Sequence, residues 1–582
     1  MRSNRKSDGF GSLVIALSAI LLAASFAGAQ SQHPGFKVET LNLTGAGINL
    51  KEDMGVNGLG FLKDGRMAVA TWGGDKRESP KQGKVYLLSG VLGGGPITAK
   101  QIASGMNDNG GLVVVNDTLY VTNKDGIFWI DPKAASTTPT LLAKIPWSGN
   151  YHEYHSTPMY KDGFLYSIVH QPYYTVEPPF IPLPERGAFL KVNRITGEKE
   201  NIAGGLREPN GGNIGPEGDF FVGDNQGHWV PSAKLVHVTK GDFFGFDNSL
   251  GPFYKPTMQQ KLPAIWFEYR GDGSSPTQPI LLTKGIFKNQ MLIGDHYACN
   301  LMRLFLEKVG GEWQGASFVV LDSKAFTSTP NRMVYAPDSS AIYIGGIGSV
   351  TNWSAACGGE RTMMKMTLTG ESTFEILAMR SVANGFELEF TSKPGPSALD
   401  KASYSLQRWA HHPEFGYNDG AMVKKRSATI VSVTPGSVDT RVTLVLNEND
   451  LKHEQGAGIL QSTVFRLDAK GVRSADGKAL HTALARYTLN KIGPGRDPEG
   501  NAVALKTSQG KNLLNPYVNA RTLYLQGAGK VIAKIWTLDG RVLQEVNATG
   551  PAVMALTLPA GVHLLTGTLD GAPFSQKVVA AP

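Results

Sequence analysis

Short apolar runs separated by tight turns fill the chain between about residue 55 and residue 370. A turn of the Asp-Gly kind precedes a short strand of β-branched or aromatic residues, and this unit recurs roughly every 40 to 70 residues. Its copies are "GFLKDGRMAVATWGG", "GLVVVNDTLYVTNKDGIFWID", "PMYKDGFLYSIVH", "NIGPEGDFFVGDNQG", "GIFKNQMLIGDHYACNLMRLFLE" and "RMVYAPDSSAIYIGGIG". One such sheet cannot bury both of its faces, whereas a closed ring can. The pattern therefore predicts a six-bladed β-propeller over residues 35–370.

The pattern changes after residue 370. "FEILAMRSVANGFELEF" and "TRVTLVLNENDL" alternate apolar and polar positions over strand-length runs between turns. This alternation predicts a β-sandwich of immunoglobulin or fibronectin type over residues 371–490. A Gly- and Pro-containing polar linker follows at 491–510, and a small β domain at 511–582. The predicted fold class is all-β throughout.

The N-terminus has the pattern of a targeting segment. Arg2, Arg5 and Lys6 form a positive start, and residues 13–24 are apolar but too few to span a bilayer. Ala27-Gly28-Ala29 then provides a small-residue cleavage site. We expect a signal peptide at residues 1–29 and export of the mature chain, with an uncleaved anchor as the alternative. No other segment is apolar enough to span a membrane.

Composition narrows the possible functions. The 582 residues include 69 Gly and 33 Pro and carry a formal net charge of +8. No dense Lys/Arg run with interleaved aromatics occurs, so we expect no nucleic-acid partner. The two cysteines, Cys299 and Cys357, are too few for a disulfide scaffold, and the sequence leaves open whether they pair.

Polar residues flank the predicted inner strands on the same side of several blades. Strand ends nearest a propeller axis converge on one channel mouth, where a pocket with a few polar groups is the natural site. The residues are His152, His155, Arg207, Asn210, Asp224, Asn225, His228, Trp229, Asp295, His296 and Arg332. Turn formation by Asp and Asn, and packing by His, are the alternatives for each residue taken alone.

The run "GLREPNGGNIGPEGDFFVGDNQG" resembles a signature of the soluble glucose and sorbosone dehydrogenases. "HEYHSTPMYKDGFLYSIV" is similar to their histidine-led segment, in which a histidine stands ten residues before the Asp of an Asp-Gly turn. The resemblance extends over about residues 40–370. It is closer to secreted bacterial propellers of dehydrogenase-like type, on "DNQGHWVPSAKLVHVTKGDFFGF" and "GDGSSPTQPILLTKGIF". The family implies a six-bladed propeller that uses pyrroloquinoline quinone (PQQ) and calcium.

The resemblance also implies roles for the polar residues. His152 would be the general base for a sugar or alcohol hydroxyl, and Arg207 would contact the anionic cofactor and assist catalysis. The remaining cofactor contacts would be Asn210, Asp224, Asn225 and Arg332. Substrate contacts would be His155, His228, Trp229 and His296. Glu208 stands where the family has Asn, and this carboxylate could ligate calcium.

The C-terminal segment resembles the sorting domains of type IX secretion substrates. "TLYLQGAGKVIAKIWTLDGRVLQEV" and "LTLPAGVHLLTGTLDGAPFSQKVV" carry this likeness. It implies that an export machinery is a partner of residues 511–582 and that the protein is secreted or displayed at the cell surface; otherwise it would be periplasmic. A second accessory sandwich is the alternative.

Three functions are compatible with these patterns. The first is an exported sugar or alcohol oxidoreductase that transfers hydride to a quinone, its electron acceptor unspecified. The second is a non-redox carbohydrate-active lyase or hydrolase that uses a metal. The third is a cell-surface carbohydrate- or protein-binding propeller without catalysis. The resemblance favours the first.

Overall fold

The structure is a computed structural model. It describes residues 32–74, 82–134, 137–150, 152–171, 183–246, 259–350, 353–413, 422–456, 458–496, 502–503, 517–519, 522–525, 530–537, 541–549, 552–555, 558–559, 561–569 and 572–580. The predicted signal peptide lies outside these residues.

Six antiparallel sheets form the propeller, which confirms the predicted fold class. The first strand is β1 (Phe36–Thr40). Blades one and two contain β2 (Val56–Phe61), β3 (Met67–Thr71), β4 (Gly83–Ser89), β5 (Thr98–Met106), β6 (Gly111–Val115), β7 (Thr118–Asn123), β8 (Gly126–Ile130) and β9 (Thr140–Lys144). Blades three and four contain β10 (His155–Lys161), β11 (Phe164–Val169), β12 (Phe189–Asn193), β13 (Lys199–Ala203), β14 (Pro209–Ile214), β15 (Phe220–Asp224), β16 (Lys234–Val238) and β17 (Ile265–Trp266). Blades five and six contain β18 (Ile280–Leu281), β19 (Met291–Asp295), β20 (Asn300–Val309), β21 (Glu312–Leu321), β22 (Arg332–Tyr335), β23 (Ala341–Gly345) and β24 (Met363–Leu368).

The ring is closed by its first strand. β1 pairs antiparallel with β24, with Phe36 opposite Leu368, and so supplies the fourth strand of blade six. Closure of this kind ties the two ends of the propeller together and leaves no blade incomplete. Apolar clusters fill the space between neighbouring blades; Val56 and Met67 of blade one, for example, pack with Tyr343 and Met363 of blade six.

The innermost strands differ from those expected. The repeat pattern, read with its flanking polar residues, predicts "DFFV" as the inner strand of blade four; in the structure this segment is β15, the second strand, and the innermost is β14. β14 is rich in glycine because neighbouring strands approach it closely. A Cβ on Gly211 would lie 2.5 Å from the Gln278 Cα, and one on Gly212 2.8 Å from Ile168 Cδ1. Few apolar side chains remain there, so the hydrophobic pattern misses the strand.

The sandwich is built from two sheets. Its strands are β25 (Ile376–Val382), β26 (Gly385–Phe390), β27 (Ser405–His411), β28 (Met422–Ser427), β29 (Ile430–Pro435), β30 (Arg441–Leu446), β31 (Thr463–Asp468) and β32 (Leu484–Leu489). One helical turn, α1 (Glu448–Leu451), and 3₁₀ turns at Pro216–Gly218, Ser323–Ala325, Pro396–Leu399 and Lys401–Ser403 complete the described helices. The sheet order β25-β26-β30-β29 faces the order β32-β31-β27-β28.

The second of these sheets continues blade five. β32 pairs with β21, with Gly315 opposite Thr488, so an eight-stranded sheet runs from the propeller into the sandwich. Arg486 Nε donates to Glu268 Oε2 over 2.8 Å across this junction. Both side chains are buried, and a buried pair of this kind is destabilising to break. The sandwich thus continues the sheet of blade five.

A disulfide joins blades five and six. Cys299, in the turn between β19 and β20, is bonded to Cys357, in the connection between β23 and β24, with a Cα–Cα distance of 5.8 Å. The sequence left this pairing open. A disulfide bond typically stabilises a protein by roughly 2–4 kcal/mol.

The C-terminal strands form small sheets. They are β33 (Gly495–Arg496), β34 (Ala502–Val503), β35 (Tyr517–Asn519), β36 (Thr522–Leu525), β37 (Lys530–Thr537), β38 (Val542–Thr549), β39 (Ala552–Ala555), β40 (Gly561–Leu569) and β41 (Ala572–Ala580). The orders are β35-β36-β39 and β38-β37-β40-β41, with β33 and β34 as a separate pair. The sorting role of this region stays a prediction. Within the described part of the chain, no helix is both long and apolar enough to cross a membrane.

Candidate functional site

Irregular pairing points polar side chains at the propeller axis. β2 and β3 shift register between Val56 and Gly58, which leaves Asn57 as the extra residue. β14 and β15 do the same between Pro209 and Gly211, which leaves Asn210. A β-bulge bends its strand and re-aims the extra side chain. Bulges in two blades therefore place the carboxamides of Asn57 and Asn210 at one channel mouth.

A cavity of about 180 Å³ lies at this mouth. Its lining combines polar and aromatic side chains, and among the sequence-predicted residues it brings together His152, Glu208, Asn210, Asn225 and Arg332. The other lining residues are Asn57, Trp72, Gly110, Tyr154, Ser156, His170, Gln226, Ser274, Ser275, Val350 and Trp353.

Arg332 is the buried cation of the cavity. Its guanidinium donates to Asn57 O (3.0 Å), to Gly110 O (2.9 Å) and to the side chains of Asn210 and Asn331. All of these acceptors are neutral, and no carboxylate among the described residues lies within ion-pair distance. Burial alone lowers the pKa of Arg332 to about 9. The site therefore carries a positive charge that an anion would compensate.

Glu208 is the single carboxylate among the described lining residues, and Arg207 neutralises it. Arg207 Nη1 donates to Glu208 Oε2 over 2.9 Å and to the Gln226 carbonyl over 2.6 Å. Arg207 itself does not line the cavity. Its guanidinium occupies the space beside Gly227, where a Cβ would lie 2.2 Å from it. Arg207 thus holds two lining residues and lies behind the surface that a ligand would meet.

Calcium does not fit the surroundings of Glu208. Its carboxylate faces a guanidinium, and Ca²⁺ requires several oxygen ligands around it. No group of three or more His, Cys, Asp or Glu side chains within the described ranges comes together in a way that could hold a metal. The donor set around Glu208 therefore does not fit the calcium ligand predicted there.

Two aspartates fix the loops that carry lining residues. The fully buried Asp224 ends β15 and accepts the backbone N–H groups of Arg207 and Glu208. Asp295 ends β19 and accepts those of Ser274 and Ser275 over 2.7 and 2.6 Å. Burial raises the pKa of Asp224, and it raises the pKa of Asp295 to about 6. Asp224, predicted as a cofactor contact, instead holds a loop, while its neighbour Asn225 lines the cavity.

Aromatic rings form one wall of the cavity. Tyr154 makes edge contacts with Trp72, at 5.9 Å between ring centroids, and with His170, at 5.6 Å. The His152 ring stands at 88° to the Tyr154 ring with 6.2 Å between centroids. Lys124 Nζ lies 4.6 Å from the centre of the Tyr154 ring. The predicted base is therefore held by edge packing beside an aromatic surface of the kind that binds flat rings or sugar faces.

A serine and a histidine pair inside the same cavity. Ser156 Oγ lies 2.6 Å from His170 Nε2, and both side chains are lining residues. Burial holds the pKa of His170 well below its usual value, and the charges of Arg186 and Arg332 act in the same direction. The lowered pKa favours the neutral imidazole, and in the tautomer that carries its proton on Nδ1 the Nε2 atom accepts the hydrogen bond of the serine hydroxyl.

His296 supports the cavity without lining it. Its ring stacks on Trp353 at 3.7 Å, and its Nε2 lies 3.0 Å from the Trp353 carbonyl. Trp353 Nε1 in turn donates to Ser275 Oγ. Burial lowers the pKa of His296 to about 3. This predicted substrate contact therefore positions an indole that faces the cavity.

The other predicted substrate contacts lie outside the cavity lining. His155 is fully buried, with its Nδ1 3.2 Å from the Asn123 carbonyl, and burial lowers its pKa to about 3. His228 is buried beside Arg207, and burial lowers its pKa to about 4. Trp229 is half-buried and has a positive φ of 61°.

Several lining residues could not be singled out from the sequence. Asn57 carries a usable signal, because the pair Asn57-Gly58 occupies the position in blade one that Asn210-Gly211 occupies in blade four. Trp353 lies in a long connection outside the repeat and carries no such signal. Ser156 and His170 lie at the two ends of one hairpin, and only its register shows that they meet.

Comparisons with known proteins give likenesses of fold. No protein-family model matches the chain, and no curated protein matches it. It is similar to the PQQ-bound aldose sugar dehydrogenase of Streptomyces coelicolor, at 15% identity and a TM-score of 0.40 over 58% of this chain and 99% of that one. It is also similar to the PQQ domain of Coprinopsis cinerea pyranose dehydrogenase, at 12% and 0.39 over 58% and 96%. Agrobacterium tumefaciens regucalcin follows at 12% and 0.34 over 55% and 91%. Likeness at this level assigns no substrate or cofactor to the chain.

The cavity residues are compatible with one part of an anionic quinone. The Arg332 charge, with only neutral acceptors around it, would attract a carboxylate, and the side chains of Trp72, Tyr154 and Trp353 offer flat surfaces for a ring. The volume is below the range usual for drug-sized ligands.

Proposed function

We propose that the protein is an exported oxidoreductase that acts on a hydroxyl group of a sugar or alcohol, with an anionic quinone such as PQQ bound in the channel mouth. The observation that carries this proposal is the buried charge of Arg332, which no described carboxylate neutralises. Among the lining residues that the structure describes, the one carboxylate, Glu208, is already paired with Arg207. The cavity thus keeps a net attraction for an anion.

His152 is the residue that would handle the substrate proton. It lines the cavity, its ring is held against Tyr154, and its backbone N–H donates to Asn150 Oδ1 over 3.0 Å. A histidine positioned in this way can act as the base that accepts the hydroxyl proton. A bound quinone would supply the hydride acceptor. Export rests on the N-terminal sequence pattern, and the electron acceptor is left unassigned.

Binding of the quinone tests the proposal without any knowledge of the substrate. Mature protein would be titrated with PQQ and, separately, with the uncharged 1,2-naphthoquinone, and complex formation followed by absorbance. We expect PQQ to bind tighter, because only PQQ places a carboxylate near Arg332. In Arg332→Gln, PQQ affinity should fall about 10- to 100-fold, the range for loss of a charge-assisted contact.

The uncharged quinone controls for any change in the shape of the cavity that Arg332→Gln causes. Its affinity should be the same in wild type and Arg332→Gln, because it has no carboxylate to lose. Equal affinities for the two quinones in the wild type, or no bound PQQ in folded protein, would contradict the proposal.

A further inference from the structure

The hairpin of β10 and β11 presents a hydroxyl and an imidazole to the cavity together. The register of this hairpin shifts between Ser156 and Met159, so the strand bends immediately after the serine. Ser156 Oγ and His170 Nε2 are 2.6 Å apart, within the distance at which a base activates a hydroxyl nucleophile. The quinone chemistry proposed above uses neither side chain.

A cation lies beside this pair. Arg332 Nη2 donates to Gly110 O over 2.9 Å, and the Gly110 backbone is packed directly on the serine strand. A Cβ on Gly110 would lie 1.9 Å from His155 O and 3.3 Å from Ser156 Cα. The Arg332 charge also acts on the His170 ring. A nucleophile, a base and an uncompensated positive charge therefore lie together in one cavity.

We propose that Ser156 is a nucleophile activated by His170, and that the cavity hydrolyses a carboxylic ester, either open-chain or a lactone. Ser156 Oγ forms a bond to the carbonyl carbon while its proton passes to His170 Nε2. The negative charge that develops on the carbonyl oxygen is stabilised by the Arg332 charge. The alkoxide leaving group breaks away with the proton from His170, which leaves an acyl ester on Ser156.

Water completes the reaction. It gives a proton to His170, its oxygen bonds to the acyl carbon, and Ser156 Oγ leaves and recovers that proton. The sum is ester plus water to acid plus alcohol, so no metal, oxidant or reductant is required. The 2.6 Å contact between Ser156 Oγ and His170 Nε2 provides the geometry for both proton transfers. Burial and the neighbouring arginines keep the free imidazole neutral, and a nearby oxyanion offsets those charges once the imidazole becomes protonated.

A fluorophosphonate probe tests this nucleophile directly. Mature protein without quinone would be treated with the probe, digested, and analysed by mass spectrometry. We expect the adduct on Ser156, no adduct in Ser156→Ala, and labelling slowed roughly 10²–10⁴-fold in His170→Gln, the range for a lost general base. Ser167→Ala is the matched control, since Ser167 is a buried serine of the same hairpin that does not line the cavity.

Hydrolysis assays identify the ester type. Hydrolysis of 4-nitrophenyl acetate, an open-chain ester, and of δ-valerolactone, a cyclic ester, would be compared. Hydrolysis of either compound that is lost in Ser156→Ala supports the proposal. The ratio of the two rates shows which type of ester is preferred. An unlabelled Ser156 in folded wild-type protein, or hydrolysis unchanged in Ser156→Ala, would overturn it. Because no quinone is present, failure of quinone binding leaves this outcome unaffected.

Discussion

At the scale of single residues, the net charge of the cavity depends on which charged side chains are paired with an opposite charge. Glu208 and Arg207 neutralise each other, whereas Arg332 is bonded only to neutral acceptors in the described structure. The sequence places Arg332 and Arg207 equally near the axis. The difference between them comes from Gly227, which makes room for the Arg207 side chain behind the lining. The direction in which each arginine side chain points cannot be predicted from residue types alone.

The buried neutral histidines predict how the free energy of unfolding varies with pH. Burial lowers the pKa of His155 and of His296 to about 3 from a usual 6.5. Between these values the unfolded chain binds protons that the folded chain does not, so the free energy of unfolding falls as the pH falls below about 6.5. In His296→Gln this loss between pH 6.5 and 4.5 should be smaller by about 2 kcal/mol.

Thermal and denaturant unfolding of wild type and His296→Gln across this pH range checks the prediction. The comparison cancels contributions that are common to both proteins, including that of Asp295, whose raised pKa acts in the opposite direction. Parallel stability curves for the two proteins would contradict it.

At the scale of elements, bulges and close strand contacts shape the channel mouth. The turns and second strands of the blades could be predicted from the sequence, because Asp-Gly turns and β-branched runs mark them. The innermost strand β14 could not, because its glycines replace the apolar residues that would reveal it. Asn210 was predicted as a site residue, and the bulge at that position explains why it reaches the cavity.

Close packing around Gly211 predicts that a larger residue at this position destabilises the propeller. A Cβ there would lie 2.5 Å from the Gln278 Cα, and backbone cannot move aside as a flexible side chain can. Gly211→Ala should therefore destabilise the propeller by roughly 1–3 kcal/mol, the usual cost of overpacking. Gly93→Ala is the control, since a Cβ on Gly93 meets nothing within 4 Å. Denaturant unfolding measures both, and equal stabilities of the two variants would count against tight packing at the axis.

At the scale of the whole molecule, the propeller and the sandwich share one sheet. The alternating pattern after residue 370 predicts the sandwich strands, but it contains nothing about which edge they pair with. That pairing, β21 with β32, depends on contacts between residues far apart in the chain, such as Arg486 with Glu268. The cavity lining extends around the ring from Asn57 in blade one to Arg332 in blade six, so its geometry depends on closure of the ring.

A turnover assay tests whether the protein oxidises a hydroxyl group with a bound quinone. Mature protein loaded with PQQ would be assayed for dye reduction with a panel of sugars and alcohols, alongside His152→Ala and the control His237→Ala, whose histidine pairs with Asp219 outside the cavity. We expect activity on at least one substrate, a loss of about 10²–10⁴-fold in His152→Ala with PQQ binding unchanged, and near wild-type activity in His237→Ala. Folded, PQQ-loaded protein that reduces no dye with any substrate, or equal rates in wild type and His152→Ala, would contradict the account.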